Sequence, residues 1–150
     1  MSQWSVNVAH PSHVARIANR IRAIDAAECR AVGHTPKQAL RSSLKASTFA
    51  LTIMLDGQPV AMLGVVPYSV LEGIGSPWLL GTDDVLKGAR QFLTVGPRVV
   101  TAMQREWPKL QNYVGAENRQ ALRVLKRLGF DVSPEVVLIG SMPMRLFTKG

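Results

Sequence analysis

The sequence predicts an α/β fold in which a mixed central sheet is flanked by helices. Segments that alternate apolar and polar residues are interspersed with segments whose apolar residues recur at helical spacing. An Asp56-Gly57 turn signal joins two strand-like segments into a hairpin. A length of 150 residues with 47% hydrophobic residues suits a single domain over residues 1–150. The predicted order is β-α-α-β-β-β-α-β-α-β, with one further strand left open at the end.

The N-terminal half is predicted to contain a strand, two helices and the hairpin. Residues 4–8 alternate as a half-buried strand does, and Val14 to Ile24 carries one apolar stripe of helical period. Thr35-Pro36 is a typical helix start, with a capping hydroxyl followed by a proline at the first helical position. The predicted elements are strand 4–8, one helix over about 11–27, a helix over about 35–47, and strands 49–55 and 59–66.

The C-terminal half is predicted to alternate strands and helices. Thr82 and the two aspartates after it can cap a helix, which Gly96-Pro97 is expected to interrupt. Gly129 is placed to end the last helix in a left-handed conformation. The predicted elements are strand 76–81, a helix broken at 96–97 that ends before Pro108, strand 110–115, a helix over 118–128, and strands 130–132 and 136–140.

Charge and composition restrict the partners and the compartment. Lys and Arg outnumber Asp and Glu by 18 to 10, and this net charge of +8 favours anionic partners: nucleic acid, acidic protein or a phosphate-bearing cofactor. Cys29 is the only cysteine, so no internal disulfide can form. No apolar run approaches the ~20 residues that cross a bilayer, and the N-terminus lacks a secretory signal pattern. We therefore expect a cytoplasmic protein with no membrane partner.

Several segments carry a family resemblance. Residues 118–130 read Asn-x-x-Ala-x-x-x-Leu-x-x-x-Gly-Phe, which resembles the closing motif of the GNAT superfamily of N-acetyltransferases, and the predicted element order is similar to that fold. Three further segments resemble small GNAT-like proteins of tailed phages, including the internal virion protein of short-tailed phages. These segments are Asp25-x-x-Glu28 with residues 30–33, Pro-Trp-Leu-Leu-Gly-Thr-Asp at 77–83, and Asn-Tyr-Val at 112–114.

The resemblance implies where a cofactor would lie. In this fold acetyl-CoA occupies a cleft between two splaying parallel strands, here residues 78–81 and 110–115, and the acetyl group passes directly to an amine. A backbone N–H stabilises the oxyanion that forms. The backbone of Leu79, Leu80 and Gly81 would contact the cofactor, and Asn118 would hydrogen-bond its pantetheine arm. No metal is implied.

Two departures from the family pattern bear on this expectation. The family's phosphate loop is rich in glycine, whereas residues 82–90 contain only Gly88 and carry two aspartates. Lys87 and Arg90 are the side chains that could bind the phosphates instead. Leu125 stands where many members have a Tyr as general acid, and Tyr113 is one replacement, with core packing as the alternative.

The candidate proton acceptor is Glu28, which the resemblance places at the acceptor side of the cleft together with Asp25. The alternative is a solvated pair of carboxylates bonded to Arg22 or Arg30. Trp78 could line the acyl pocket or belong to the core.

Arg119, Arg123 and Arg127 form a basic helix face that could bind CoA, nucleic acid or an acidic protein, or remain solvated. The three histidines lack metal-site spacing.

Three functions therefore remain open at this point. The first is a GNAT-type N-acyltransferase, phage-encoded by resemblance, that transfers acetyl from acetyl-CoA to an unidentified amine. The second is a catalytically inactive GNAT-fold accessory or virion protein that binds another virion or host protein. A nucleic-acid-binding module is third, since it rests on charge alone. The phosphate loop is the feature that separates the first two.

Overall fold

A computed structural model describes residues 2–150 of the chain. Seven strands form one sheet in the order β1-β2-β3-β4-β5-β7-β6. The strands are β1 (Trp4–Val8), β2 (Phe49–Leu55), β3 (Gln58–Ser69), β4 (Ile74–Gly81), β5 (Lys109–Gly115), β6 (Asp131–Ile139) and β7 (Met142–Lys149). The helices are α1 (His13–Ala18), α2 (Ala23–Ala31), α3 (Pro36–Ala46), α4 (Ala89–Glu106) and α5 (Arg119–Arg127), with a 3₁₀ segment over Asp83–Gly88 before α4. The predicted fold class is confirmed.

The sheet is antiparallel except between β4 and β5. Those two strands run parallel and pair only at their N-terminal ends, Ile74 with Lys109 and Gly75 with Leu110. Beyond these pairs the ladder stops, so β4 and β5 diverge towards their C-terminal ends. This confirms the expectation that residues 78–81 and 110–115 are neighbouring parallel strands that splay apart.

The two faces of the sheet are covered by different helices. On one face α1 and α3 bury a cluster with β3, formed by Val14, Ile17, Leu40 and Met62. On the other face the larger core includes Val100 and Met103 of α4, and the apolar stripe of α5 packs against it. The split between β4 and β5 therefore opens between two helical layers. No helix within residues 2–150 is long and apolar enough to cross a membrane.

The first predicted helix, over 11–27, is wrong in its continuity. The structure divides it into α1 and α2, because Arg22 adopts an extended backbone (ψ 141°) and its N–H donates to Gly81 O at 2.9 Å. Ile21 pairs with Thr82 in an isolated antiparallel bridge. Pairing with the end of β4 thus interrupts a segment whose apolar period is continuous, and α2 becomes a separate helix beside the split.

The predicted interruption at Gly96-Pro97 is also wrong, since α4 continues through both residues. Proline disfavours the helical conformation of the preceding residue partly through that residue's Cβ, which glycine lacks. Pro97 is exposed, so the carbonyl that its missing N–H leaves unpaired can be hydrated. Gly96 is buried against Leu128, and a Cβ there would lie 2.8 Å from Leu128 Cδ2.

The remaining helix ends follow the sequence closely. Thr35 and Gln38 form a reciprocal capping box at the start of α3. Asn118 Oδ1 caps α5, and Gly129 after it has φ +89°. Thr82 differs from expectation, because its hydroxyl donates to Val60 O at 3.1 Å and caps no helix.

The C-terminal strands are longer than predicted. The two predicted segments, 130–132 and 136–140, merge into the single strand β6 (Asp131–Ile139), which leaves out Phe130 and Gly140. The pairing of β6 with β7 is irregular between Val132 and Val136. The strand left open at the end of the chain is β7, which lies between β5 and β6 and pairs antiparallel with both.

Candidate functional site

The split between β4 and β5 is held open by Asn112. Its Nδ2 donates to Pro77 O on β4 at 2.8 Å, while its Oδ1 accepts the backbone N–H of Tyr113 at 2.8 Å. A half-buried side chain thus takes the place of direct strand pairing at this level. The separation of the two strands is therefore specified by the sequence of β5.

Alternation along β4 decides which backbone groups face the split. Thr82 N donates to Val60 O on the β3 side, whereas Gly81 directs both its N–H and its C=O to α2. Because successive residues of a strand direct their backbone groups to opposite sides, Pro77, Leu79 and Gly81 face the split, and Leu80 pairs with β3.

Leu79 has the free backbone groups of β4 in the split. Pro77 has no N–H and its carbonyl accepts from Asn112, while both groups of Gly81 are bonded to α2. Neither Leu79 N–H nor Leu79 C=O has a partner outside the sheet ladders among residues 2–150. Between Pro77 and Gly81, whose groups are occupied, Leu79 thus offers a ligand one hydrogen-bond donor and one acceptor.

Asp25 binds the end of β4. Its Oδ2 accepts Gly81 N–H at 2.9 Å, and its Oδ1 accepts from Arg22 Nη1 at 3.3 Å. The residue is only 2% exposed. Burial raises the pKa of Asp25 to about 6, against the opposing effects of the Gly81 hydrogen bond and the Arg22 charge. The carboxylate is thus an ionised anchor at neutral pH.

Glu28 binds the end of β5 from the same face of α2, three residues after Asp25. Its Oε2 accepts Gly115 N–H at 2.8 Å, and Asn118 Nδ2 lies 3.4 Å from both carboxylate oxygens. Burial raises the pKa of Glu28, although the bonds from Gly115 and Asn118 oppose the rise. Glu28 is half-buried and therefore less enclosed than Asp25. The two carboxylates together join α2 to both splayed strands.

Arg22 closes one side of the split. Its side chain is buried, and Nη2 donates to Gln120 Oε1 on α5 at 2.6 Å. The backbone of Arg22 is bonded to the end of β4, so this contact links the β4 side to the helix that follows β5. A cavity of about 290 Å³ lies beside it, lined by Arg22, Ile24, Glu117, Asn118, Arg119, Gln120 and Arg123.

In the would-be phosphate loop, residues 82–90, Asp84 neutralises the loop's own Lys87 and also pairs with Arg20 outside it. Asp84 pairs with Lys87 at 3.0 Å and with Arg20 at 2.6 Å. The Gly88 position is occupied as well, because the Trp4 indole fills the space that a Cβ would need. Arg90 is exposed and lies in the first turn of α4. The glycine of this loop therefore serves packing.

The structure places the other sequence candidates as follows. Asn118 is 4% exposed, and its side chain both caps α5 and contacts Glu28. Trp78 packs with the α1–α3 cluster and donates to Ser47 Oγ at 2.8 Å, so it belongs to the core. Tyr113 is 44% exposed. Within residues 2–150 no three His, Cys, Asp or Glu side chains come together as metal ligands.

Sequence comparison finds no matching protein-family model and no matching curated protein. Structural comparison does find matches. An acetyltransferase of the GNAT family from Streptococcus pneumoniae has a TM-score of 0.65 at 14% identity, with 98% of each chain covered. The chain has the GNAT fold. A putative acetyltransferase from Acinetobacter baylyi ADP1 gives a TM-score of 0.72 at 10% identity, covering 99% of this chain and 93% of that one.

A further structural match was solved with two ligands bound. The structure of AAC(6')-Ib in complex with ribostamycin and coenzyme A has a TM-score of 0.68 at 14% identity, covering 98% of this chain and 93% of that one. At such identities the likeness extends to the fold, and site residues have to be judged on this chain's own geometry.

Proposed function

We propose that the chain is a GNAT-type N-acyltransferase that transfers an acyl group from acyl-CoA, with acetyl-CoA as the expected donor, to an amine. The observation that carries this proposal is the pair of unpartnered backbone groups of Leu79 in the split. An extended pantetheine arm adds to an exposed strand edge through such groups. AAC(6')-Ib, which shares the fold, was solved with coenzyme A, and this supports the choice of cofactor.

In the proposed reaction, the amine nitrogen attacks the thioester carbonyl carbon and the C–S bond breaks. Leu79 N–H donates to the oxyanion that forms, which is stabilisation by a fixed backbone dipole, and Leu79 C=O is left to bond the pantetheine arm. Glu28 accepts the amine proton, since it is the less enclosed carboxylate and burial raises its pKa, which makes the carboxylate a stronger base. The departing thiolate takes a proton from solvent or from Tyr113. Asn118 and the backbone of Leu79 remain the candidates for binding the pantetheine arm. The backbone groups of Leu80 and Gly81, which the resemblance also implied, are already bonded to β3 and to α2.

The proposal is tested by incubating the protein with acetyl-CoA and a panel of amines. Turnover is measured as the release of the free CoA thiol. Glu28→Gln keeps an oxygen for Gly115 N–H, so it should fold and bind CoA while losing about 10²- to 10⁴-fold in turnover. Glu135→Gln, which removes an exposed carboxylate on the edge strand β6, is the matched control and should retain activity. Thiol release that is equal in Glu28→Gln and wild type would contradict the role of Glu28. Absence of both CoA binding and turnover in wild type would contradict the function.

The neutralised loop favours a second candidate, a GNAT-fold phage accessory or virion protein without catalysis. Lys87 is engaged by Asp84, and Gly88 is filled by Trp4, so the loop offers little to a phosphate. The resemblance to GNAT-like proteins of tailed phages supports the same candidate, in which the chain binds a virion or host protein. Unchanged melting temperature in millimolar CoA would favour this function, because a ligand specific for the native state raises it.

A further inference from the structure

The cavity between α2 and α5 brings three arginines together. Arg22 comes from the start of α2, while Arg119 and Arg123 lie one turn apart on α5. Glu117 is the one carboxylate among its lining residues. The formal charge of the lining is therefore +2, at the mouth of the split where Glu28 and Asn118 meet the end of β5.

The three guanidinium groups differ in how they are held. Arg22 is buried, and its side chain is fixed by Asp25 at 3.3 Å and Gln120 at 2.6 Å. Arg119 and Arg123 are exposed, and neither has a carboxylate within 4.0 Å among residues 2–150. One cation is thus preorganised and two are available to a ligand. In the loop before α4, by contrast, Lys87 is paired with Asp84, and Arg90 is the one cation of residues 82–90 without a carboxylate partner.

The chemistry of this arrangement suits phosphate groups. Guanidinium groups bind phosphate oxygens through paired N–H donors, and such charge-assisted bonds are among the stronger ones in proteins. The positive end of the α5 dipole acts in the same direction. Arg22 loses little side-chain freedom on binding, because its partners already fix it. The cavity has a volume of about 290 Å³, so a phosphate group can contact more than one arginine there.

We propose that the α2–α5 cavity binds the phosphates of acyl-CoA in place of the neutralised loop before α4. This inference rests on the proposed function for the identity of the ligand, and it assigns the phosphate contacts to Arg119 and Arg123, with Arg22 behind them. The cofactor then enters the split from the α5 side, past Asn118.

Calorimetric titration of three probes into the full chain tests the assignment. Acetyl-CoA carries both the phosphates and the pantetheine arm, acetyl-pantetheine carries only the arm, and inorganic pyrophosphate supplies the anion alone. The test variant is Arg119→Gln with Arg123→Gln. The matched control is Lys126→Gln with Arg127→Gln, which removes the same charge from the same helix outside the cavity.

The test variant should bind acetyl-CoA and pyrophosphate about a hundredfold more weakly than wild type, at about tenfold for each charge-assisted contact. It should bind acetyl-pantetheine with unchanged affinity, and the control should bind all three probes as wild type does. A loss equal in the control and the test variant would overturn the proposal, since it would reflect net charge alone.

A second variant pair separates this inference from the proposed function. Lys87→Gln with Arg90→Gln should leave acetyl-CoA affinity within about twofold of wild type, because the loop is not used. If this pair weakens acetyl-CoA and the cavity variant does not, the cavity assignment is wrong while the acyltransferase proposal stands. If pyrophosphate binds through the cavity and no amine is acetylated, the anion site stands and the proposed activity fails. Tighter binding of a single-stranded oligonucleotide than of acetyl-CoA at the same arginines would overturn the assignment to acyl-CoA.

Discussion

Asp25 should make the protein less stable as pH rises through the mildly acidic range. Its pKa is raised from 3.8 to about 6 in the folded chain, chiefly by burial. The folded state therefore holds the proton more tightly than the unfolded state does, and the stabilisation from protonated Asp25 is complete below 3.8 and lost as pH passes 6. The difference between these two pKa values corresponds to about 3 kcal/mol in the free energy of unfolding, at about 1.4 kcal/mol per pH unit.

Urea unfolding at pH 4.5 and pH 7.5 measures this effect when wild type is compared with Asp25→Asn. The free energy of unfolding of wild type should fall relative to Asp25→Asn by about 2 kcal/mol between the two pH values, because part of the interval lies below pH 4.5. Taking the difference between the two proteins removes the titration of groups that they share.

Asp131→Asn controls for the loss of one carboxylate, since Asp131 is exposed on β6. Its stability should follow wild type across the same pH range. If Asp25→Asn and wild type change in parallel with pH, then Asp25 is ionised in the folded chain as readily as in the unfolded chain, and the argument from burial fails.

Three further outcomes can be checked by equilibrium unfolding or labelling. Gly88→Ala should destabilise the chain by about 1 to 3 kcal/mol, because the new methyl group overlaps the Trp4 indole; a stability equal to wild type would show that the loop can move away. Asn112→Ala should cost about 1 to 2 kcal/mol through the lost bond to Pro77 O, whereas an unchanged urea midpoint would mean that water replaces the amide. Cys29 should react with iodoacetamide about a hundredfold more slowly in the folded chain than in urea, since burial raises its pKa to about 11; equal rates would indicate that the thiol is accessible.

Local patterns predicted most of the elements and failed where distant residues decide the outcome. The capping box of α3 and the left-handed Gly129 are readable because all the groups concerned lie within a few residues of one another. The break between α1 and α2 is not readable in this way, since Arg22 pairs with Gly81, which lies 59 positions further along the chain. The predicted interruption at Pro97 was wrong because a proline is tolerated in a helix when the preceding residue is a glycine, here Gly96, and when the proline itself is exposed.

The candidate site was predictable in part. Family resemblance directed attention to Glu28 and Asn118, and the structure brings these two side chains into contact. Whether they act on a ligand stays a prediction. The sequence presents Asn112 only as part of a motif, because its partner Pro77 lies 35 positions away. It presents Arg22 as a possible partner of the nearby carboxylates, but the bond to Gln120 spans 98 positions and is not readable. A polar residue in a strand that should splay is the signal that could have identified Asn112.

The two contacts of α2 have a consequence for motion of the sheet. Between β4 and β5 the ladder consists of two residue pairs at one end, so backbone pairing joins the two parts of the sheet only at Ile74 and Gly75. Asp25 and Glu28 bond the separated ends of β4 and β5 to one short helix. The amides of Gly81 and Gly115, although they lie at an open seam, should therefore exchange with deuterium only when α2 detaches, and both should do so together.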